Sequence, residues 1–167
     1  GGGQLATEHL LGSGRKVVAT VTGPQDMCAG QDRLIGYRKA VEASGRLVEH
    51  SLVVDAEFTQ ESGFAATRQL LEDRPDVDAI FAASDLTAMG AIRAIERSGR
   101  RVFDDVAVIG FDDIGEAALM QPALTTIRQP IADLGTTMSQ RLLERIDGGE
   151  PPKMTILPVE LIKRQTA

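Results

Sequence analysis

Asp105-Val106-Ala107-Val108-Ile109-Gly110-Phe111-Asp112-Asp113 is the stretch on which the fold turns. Val106 to Ile109 are apolar on successive positions, and three of the four are β-branched. A strand with one wet face alternates; an unbroken apolar run fits a strand covered on both faces, as in a parallel sheet. Lys16–Val21, Leu52–Val54 and Ala79–Ala82 read the same way.

Helical patterns fill the gaps between these runs. Leu5, Ala6, His9 and Leu10 recur at helical spacing and stop at Gly12. Asp32 to Ala43 sets Leu34, Tyr37, Ala40 and Val41 on one stripe before Gly45, a common helix stop. Ser62 to Leu71 repeats the pattern ahead of Pro75, and Leu86 to Arg97 repeats it ahead of Gly99, with Asp85 placed to cap the latter helix. Strands alternating with helices imply βαβ crossovers, so the expected fold is α/β with a doubly wound parallel sheet. After Asp113 the alternation weakens. Ile131, Leu134, Met138, Leu142 and Ile146 mark one long helix, Gly148-Gly149-Glu150-Pro151-Pro152 a turn, and Met154 to Ile162 a last extended segment.

The chain has 167 residues, 43% hydrophobic and 25% charged, as expected of a globular domain with one sizeable core. It contains no apolar run of membrane-spanning length and no secretory start. One cysteine, Cys28, excludes an internal disulfide and suits a reducing cytoplasm. A net charge of −6 argues against phosphate gripping by this part of the protein.

Enzyme signatures are weak in this sequence. Gly12-Ser13-Gly14 precedes a strand, which makes it a helix stop and not a phosphate loop. His9 and His50 fall away from the strand ends, and one Cys with two scattered His cannot form a soft metal site, so no cofactor or metal is expected. Asp112-Asp113 could hold a magnesium ion, but no phosphate loop or placed lysine accompanies it. Cys28 near a helix start could be a reactive thiol or merely a small helix residue. In open α/β sheets ligands lie beyond the carboxyl ends of the strands, which selects 23–28, 56–58, 83–85 and 111–113.

Several strings, in order, resemble the effector-binding core of the lactose/galactose-repressor family. They are Gly2-Gly3 through His9-Leu10-Leu11 to Gly14-Arg15-Lys16, Arg33-x-x-Gly36-Tyr37, Glu61-Ser62-Gly63-Phe64, Ser84-Asp85-x-x-Ala88-Met89-Gly90, the opening Asp105–Asp113 stretch, and Leu124-Thr125-Thr126-Ile127-Arg128-Gln129-Pro130. The resemblance implies a periplasmic-binding-protein-like core of two subdomains with a ligand cleft between them. Residues 1–129 correspond to the C-terminal subdomain, 130–150 to a crossover helix and linker, and 151–167 to a returning strand. The chain would then be a fragment whose Ile131–Ile146 stripe lacks its usual partner surface, and either packs on a second copy or moves.

By the resemblance, Arg33 and Asp112 are the central ligand contacts. A guanidinium fork beside a carboxylate matches neighbouring hydroxyls on a sugar or the edge of a purine; the alternative is a structural ion pair. Phe58 would stack on a ring or else pack in the core. Ser84 and Gln129 match contact positions, with Asp85 beside Ser84 either a contact or the helix cap. Met27 stands where purine-sensing members carry arginine, which favours a sugar. The implied function is effector sensing in a cytoplasmic, homodimeric transcriptional regulator, with DNA bound through a helix-turn-helix outside this chain, no membrane and no catalysis. The alternative is an exported sugar-binding protein of a transporter.

Overall fold

The computed structural model describes all of residues 1–167. A single six-stranded sheet runs through it in the order β2-β1-β3-β4-β5-β6. The strands are β1 (Val18–Val21), β2 (Val53–Val54), β3 (Ala79–Ala82), β4 (Ala107–Asp112), β5 (Thr125–Arg128) and β6 (Glu160–Ile162). All neighbours pair in parallel except β6, which lies antiparallel on β5.

Helices α1 (Gly2–Gly12) and α2 (Cys28–Ala43) precede and follow β1, while α3 (Gln60–Asp73) and α4 (Asp85–Arg97) follow β2 and β3. Successive residues of β3 show why its apolar run is unbroken. Ala79 and Phe81 join a cluster with Ala6, Leu10, Leu34 and Tyr37 from α1 and α2. Ile80 and Ala82 join a second cluster with Leu70, Ile92 and Ile95 from α3 and α4. Each face of the sheet is thus covered by a helix pair, which is why β3 is apolar on both sides.

Where strand limits depart from the sequence reading, local hydrogen bonding explains the difference. Lys16 and Val17 give their N–H groups to the Asp78 carboxylate instead of the ladder, so β1 starts at Val18. Leu52 closes a 3-10 turn at His50–Leu52. Thr59 caps α3, its hydroxyl accepting from the Ser62 N–H in the first turn, so the helix begins at Gln60, before Ser62. Similarly, α2 begins at Cys28, before the expected Asp32.

Asp85 is not the cap of α4. Ser84, in extended conformation, occupies that position and accepts from the Thr87 N–H at 3.1 Å. The sequence pattern does not mark strand β5, and of the expected Met154–Ile162 segment only Glu160–Ile162 pairs. Two further helices complete the chain, the short α5 (Gly115–Leu119) and α6 (Ile131–Ile146), the latter without one buried residue. No helix is long and apolar enough to cross a membrane.

Candidate ligand site at the strand ends

From β1 the chain goes outward to β2 and then back past β1 to β3, so the strand order reverses between β1 and β3. A crevice opens beyond the carboxyl ends at such a reversal. Arg33, on α2, reaches this point. Its Nη1 donates to the carbonyl of Ala83 just past β3. Its Nη2 donates to Asp112 Oδ1 at 3.1 Å, at the end of β4.

Aromatic rings flank the guanidinium. Its carbon lies 3.9 Å from the centre of the Phe111 ring and 5.2 Å from that of Phe58. These contacts fix the plane of the fork without consuming its donors. Gln129, leaving β5, donates from Nε2 to the same Asp112 Oδ1 at 2.7 Å. One carboxylate oxygen therefore takes both internal donors, and Oδ2 stays open. The Asp112 side chain is 30% exposed and that of Arg33 11%. Beside them lies a hollow of about 340 Å³, bordered by Gly2, Asp32, Arg33, Phe111 and Gln129.

Electrostatics follow from this placement. Burial pushes the Asp112 carboxyl above its ordinary range, against the pull of Arg33 and Gln129. Burial also lowers the Arg33 guanidinium, opposed by Asp112. Each partner therefore needs the other, or a ligand, to carry its charge comfortably.

The loop that carries Asp112 is held from behind. Asp112 and Asp113 both have positive φ, 114° and 60°. Asp113 is gripped by Arg128 Nε and Arg164 Nη2, each at 2.6 Å. Burial opposes its ionisation, but the two arginines outweigh that and hold the carboxyl below its usual range. Asp85 grips the same loop from α4. Its Oδ2 accepts from the Ile114 N–H at 2.9 Å and its Oδ1 from Thr126 Oγ1 at 2.5 Å. Gly110 makes room for it: a Cβ there would lie 2.3 Å from Asp85 Oδ1.

Of the residues singled out in the sequence, the structure gathers Arg33, Asp112, Phe58 and Gln129. Met27 opens α2 nearby and is half exposed. Ser84 and Asp85 have internal duties instead. Ser84 is 3% exposed, with its hydroxyl in the helix cap and against Thr87 Oγ1; Asp85 is fully buried. The strand-end rule covers Phe111 and Asp113 within 111–113, but the sequence assigns neither of them the role the structure shows. Phe111 was hidden inside an apolar run, whereas the clamp on Asp113 needs arginines 15 and 51 positions away.

The profile of the periplasmic binding protein-like domain matches residues 7–167. The HTH-type transcriptional regulator CelR of Thermobifida fusca is 45% identical over 99% of this chain and 49% of its own length. The ribose operon repressor of Halalkalibacterium halodurans is 38% identical over the same shares. The HTH-type transcriptional repressor PurR of Shigella sonnei is 37% identical, again over 99% and 49%. Among solved structures, a CelR–cellobiose complex superposes with a TM-score of 0.96 at 44% identity, over 99% of this chain and 51% of the other. The lac repressor bound to ONPG gives 0.92 at 34%, over 99% and 50%. The chain spans about half the length of the curated relatives it matches. It belongs to the periplasmic binding protein-like domain family, in the form of that domain carried by lac-repressor-type transcriptional regulators.

Proposed function

We propose that the chain is the effector-sensing part of a cytoplasmic DNA-binding transcriptional regulator. It takes a sugar through Arg33, Asp112, Gln129 and Phe58 and catalyses nothing. The observation that carries this reading is the half-satisfied pair at the sheet's reversal point. Arg33 and Asp112 touch, two rings flank the guanidinium, and one carboxylate oxygen is left over. Such a set gives a hydroxyl-rich ligand both donors and an acceptor, with an aromatic face beside them.

A sugar is preferred to a purine because Met27, just ahead of α2, brings no cation, and because a structural relative is a complex with cellobiose. DNA contact would be made by a separate helix-turn-helix, in keeping with the net charge of −6 here. The working unit is read as a homodimer, as solved lac repressors include dimers. Residues 130–150 would lead to a second lobe and 151–167 return from it. A sugar held between the lobes shifts their closure only by its differential affinity for the two arrangements, typically ~1–3 kcal/mol.

Titration calorimetry on the full-length protein with a panel of neutral sugars and purines tests the assignment. One sugar is expected to bind, and Asp112→Asn to weaken it by about tenfold or more, since a charge-assisted bond is worth roughly 1.5–3 kcal/mol. Binding of a purine with no sugar response would overturn it.

A further inference from the structure

The start of α4 is tied to every wall of the site. The Ala83 carbonyl, ahead of the cap, takes Arg33 Nη1. Thr87 Oγ1 donates to the carbonyl of Glu57, next to Phe58, at 3.2 Å. Asp85 takes the Ile114 N–H at 2.9 Å in the Asp112 loop, and Thr126 Oγ1 at 2.5 Å on β5. We propose that Asp85 is a positioning residue for the effector: it sets where the Asp112 carboxylate stands and, by gaining or losing its own proton, makes effector affinity depend on pH. The proposal rests on the sugar reading above and adds the regulation of that site.

Geometry is the first argument. Asp112 and Asp113 stand at φ of 114° and 60°. Residues with side chains keep such a conformation only where the surroundings impose it. Arg33 and Gln129 hold Asp112, and Arg128 and Arg164 hold Asp113, through side chains that all reach solvent in part. Asp85 holds the next residue from a side chain that is fully buried. It is not needed as a helix cap, because Ser84 fills that position. Instead its two oxygens bind two other elements, and Gly110 leaves the space in which it does so.

Charge is the second. Asp85 enters no ion pair, and both of its donors are neutral. The charged groups facing it are Asp112 and Asp113 from the end of β4 and Arg33 from α2, while β5 presents the Thr126 hydroxyl. Burial, with the two like charges behind it, pushes the carboxyl up to about 6 against the bonds from Thr126 and Ile114. Modest acidification therefore changes its charge. An ionised acceptor holds an N–H roughly twice as strongly as a neutral one. Above pH 7 the grip on Ile114 is at full strength, and it weakens as pH falls through 6. The turn that seats the Asp112 carboxylate loosens with it, and a preformed acceptor is what makes a polar ligand bind well.

The test is calorimetry on the full-length protein at stepped pH between 5 and 7.5, with cellobiose, glucose and ribose. The sugar that binds is expected to lose about fivefold in affinity from the top of that range to the bottom, as for a carboxyl near 6 whose acid form binds roughly tenfold more weakly. Asp85→Asn, a neutral isostere, should remove that dependence and hold the weaker, low-pH affinity throughout. Asp112 titrates in both proteins, so any slope it adds is common to them. Thr126→Val keeps the charge but removes a bond that favours the ionised form, and should move the midpoint of the profile to higher pH. Parallel profiles for the parent and Asp85→Asn would overturn the proposal and leave the sugar reading standing, as would an unmoved midpoint in Thr126→Val. Absence of binding by any of these sugars would overturn both.

Discussion

Helix α4 lines up Met89, Ile92 and Ile95 on one side, and helix α6 lines up Leu134, Met138 and Leu142 in the same way. Nine of the thirteen residues of α4 are buried, and none of the sixteen of α6. Ile95 is fully buried while Leu142 is 61% exposed. Their ends differ too. Ser84 caps α4 and Asp85 stitches its first turn to the β4–α5 loop, whereas α6 starts after Pro130 with no side-chain cap. An apolar stripe in a sequence shows that a helix has a face to cover. It does not say whether the covering surface belongs to the same stretch of chain.

The comparison can be broken most directly by truncating one side chain on each helix. Ile95→Ala should cost ~2–5 kcal/mol in urea unfolding, and Leu142→Ala no more than about 0.5 kcal/mol. Equal losses would show that α6 is packed after all. Gly110→Ala pushes a Cβ into Asp85 and should cost ~1–3 kcal/mol through overpacking; a neutral result would mean the Asp85 stitch is loose. Ser84→Ala removes the cap of α4 and should cost ~0.5–2 kcal/mol, with no counterpart at Pro130.

The finest test is the pH dependence carried by Asp85. Its carboxyl is pushed up to about 6, by burial first, then by the nearby charges of Asp112 and Asp113, against the bonds from Thr126 and Ile114. A raised carboxyl binds its proton more tightly in the native state than in the unfolded one. Stability from this group is therefore fullest below about pH 4, where both states are protonated. It falls as pH rises towards 6 and then levels. Asp85→Asn should gain on the parent protein across that window in denaturant unfolding at stepped pH. A difference that stays constant between pH 4 and 7 would contradict this account.

Legibility tracked how directly each feature was written into neighbouring residues. Strand β3 was readable to the residue because both its faces are buried, leaving four apolar positions in a row. Strand β5 was not, because Thr125, Thr126 and Arg128 look like loop. Their polar groups are satisfied at a distance: Thr125 by Thr166 and Ala167, Thr126 by Asp85, and Arg128 by Asp113. Aspartate is a good cap, so the sequence points to Asp85; the backbone gives that role to extended Ser84. Arg33 and Asp112 were found through motif resemblance. Their contact, 79 positions apart in sequence, is a product of the crossovers.

Gln129 has a consequence of its own. It is the first residue after β5, where the chain quits the sheet, to return only at β6 on the neighbouring track. It also holds Asp112 through its amide. The point of departure and the grip on that carboxylate are therefore one side chain. A displacement of the excursion between residues 130 and 159 would reach the Asp112 carboxylate with no intermediary, and under the proposed function a sugar seated on Asp112 would pull back along the same amide.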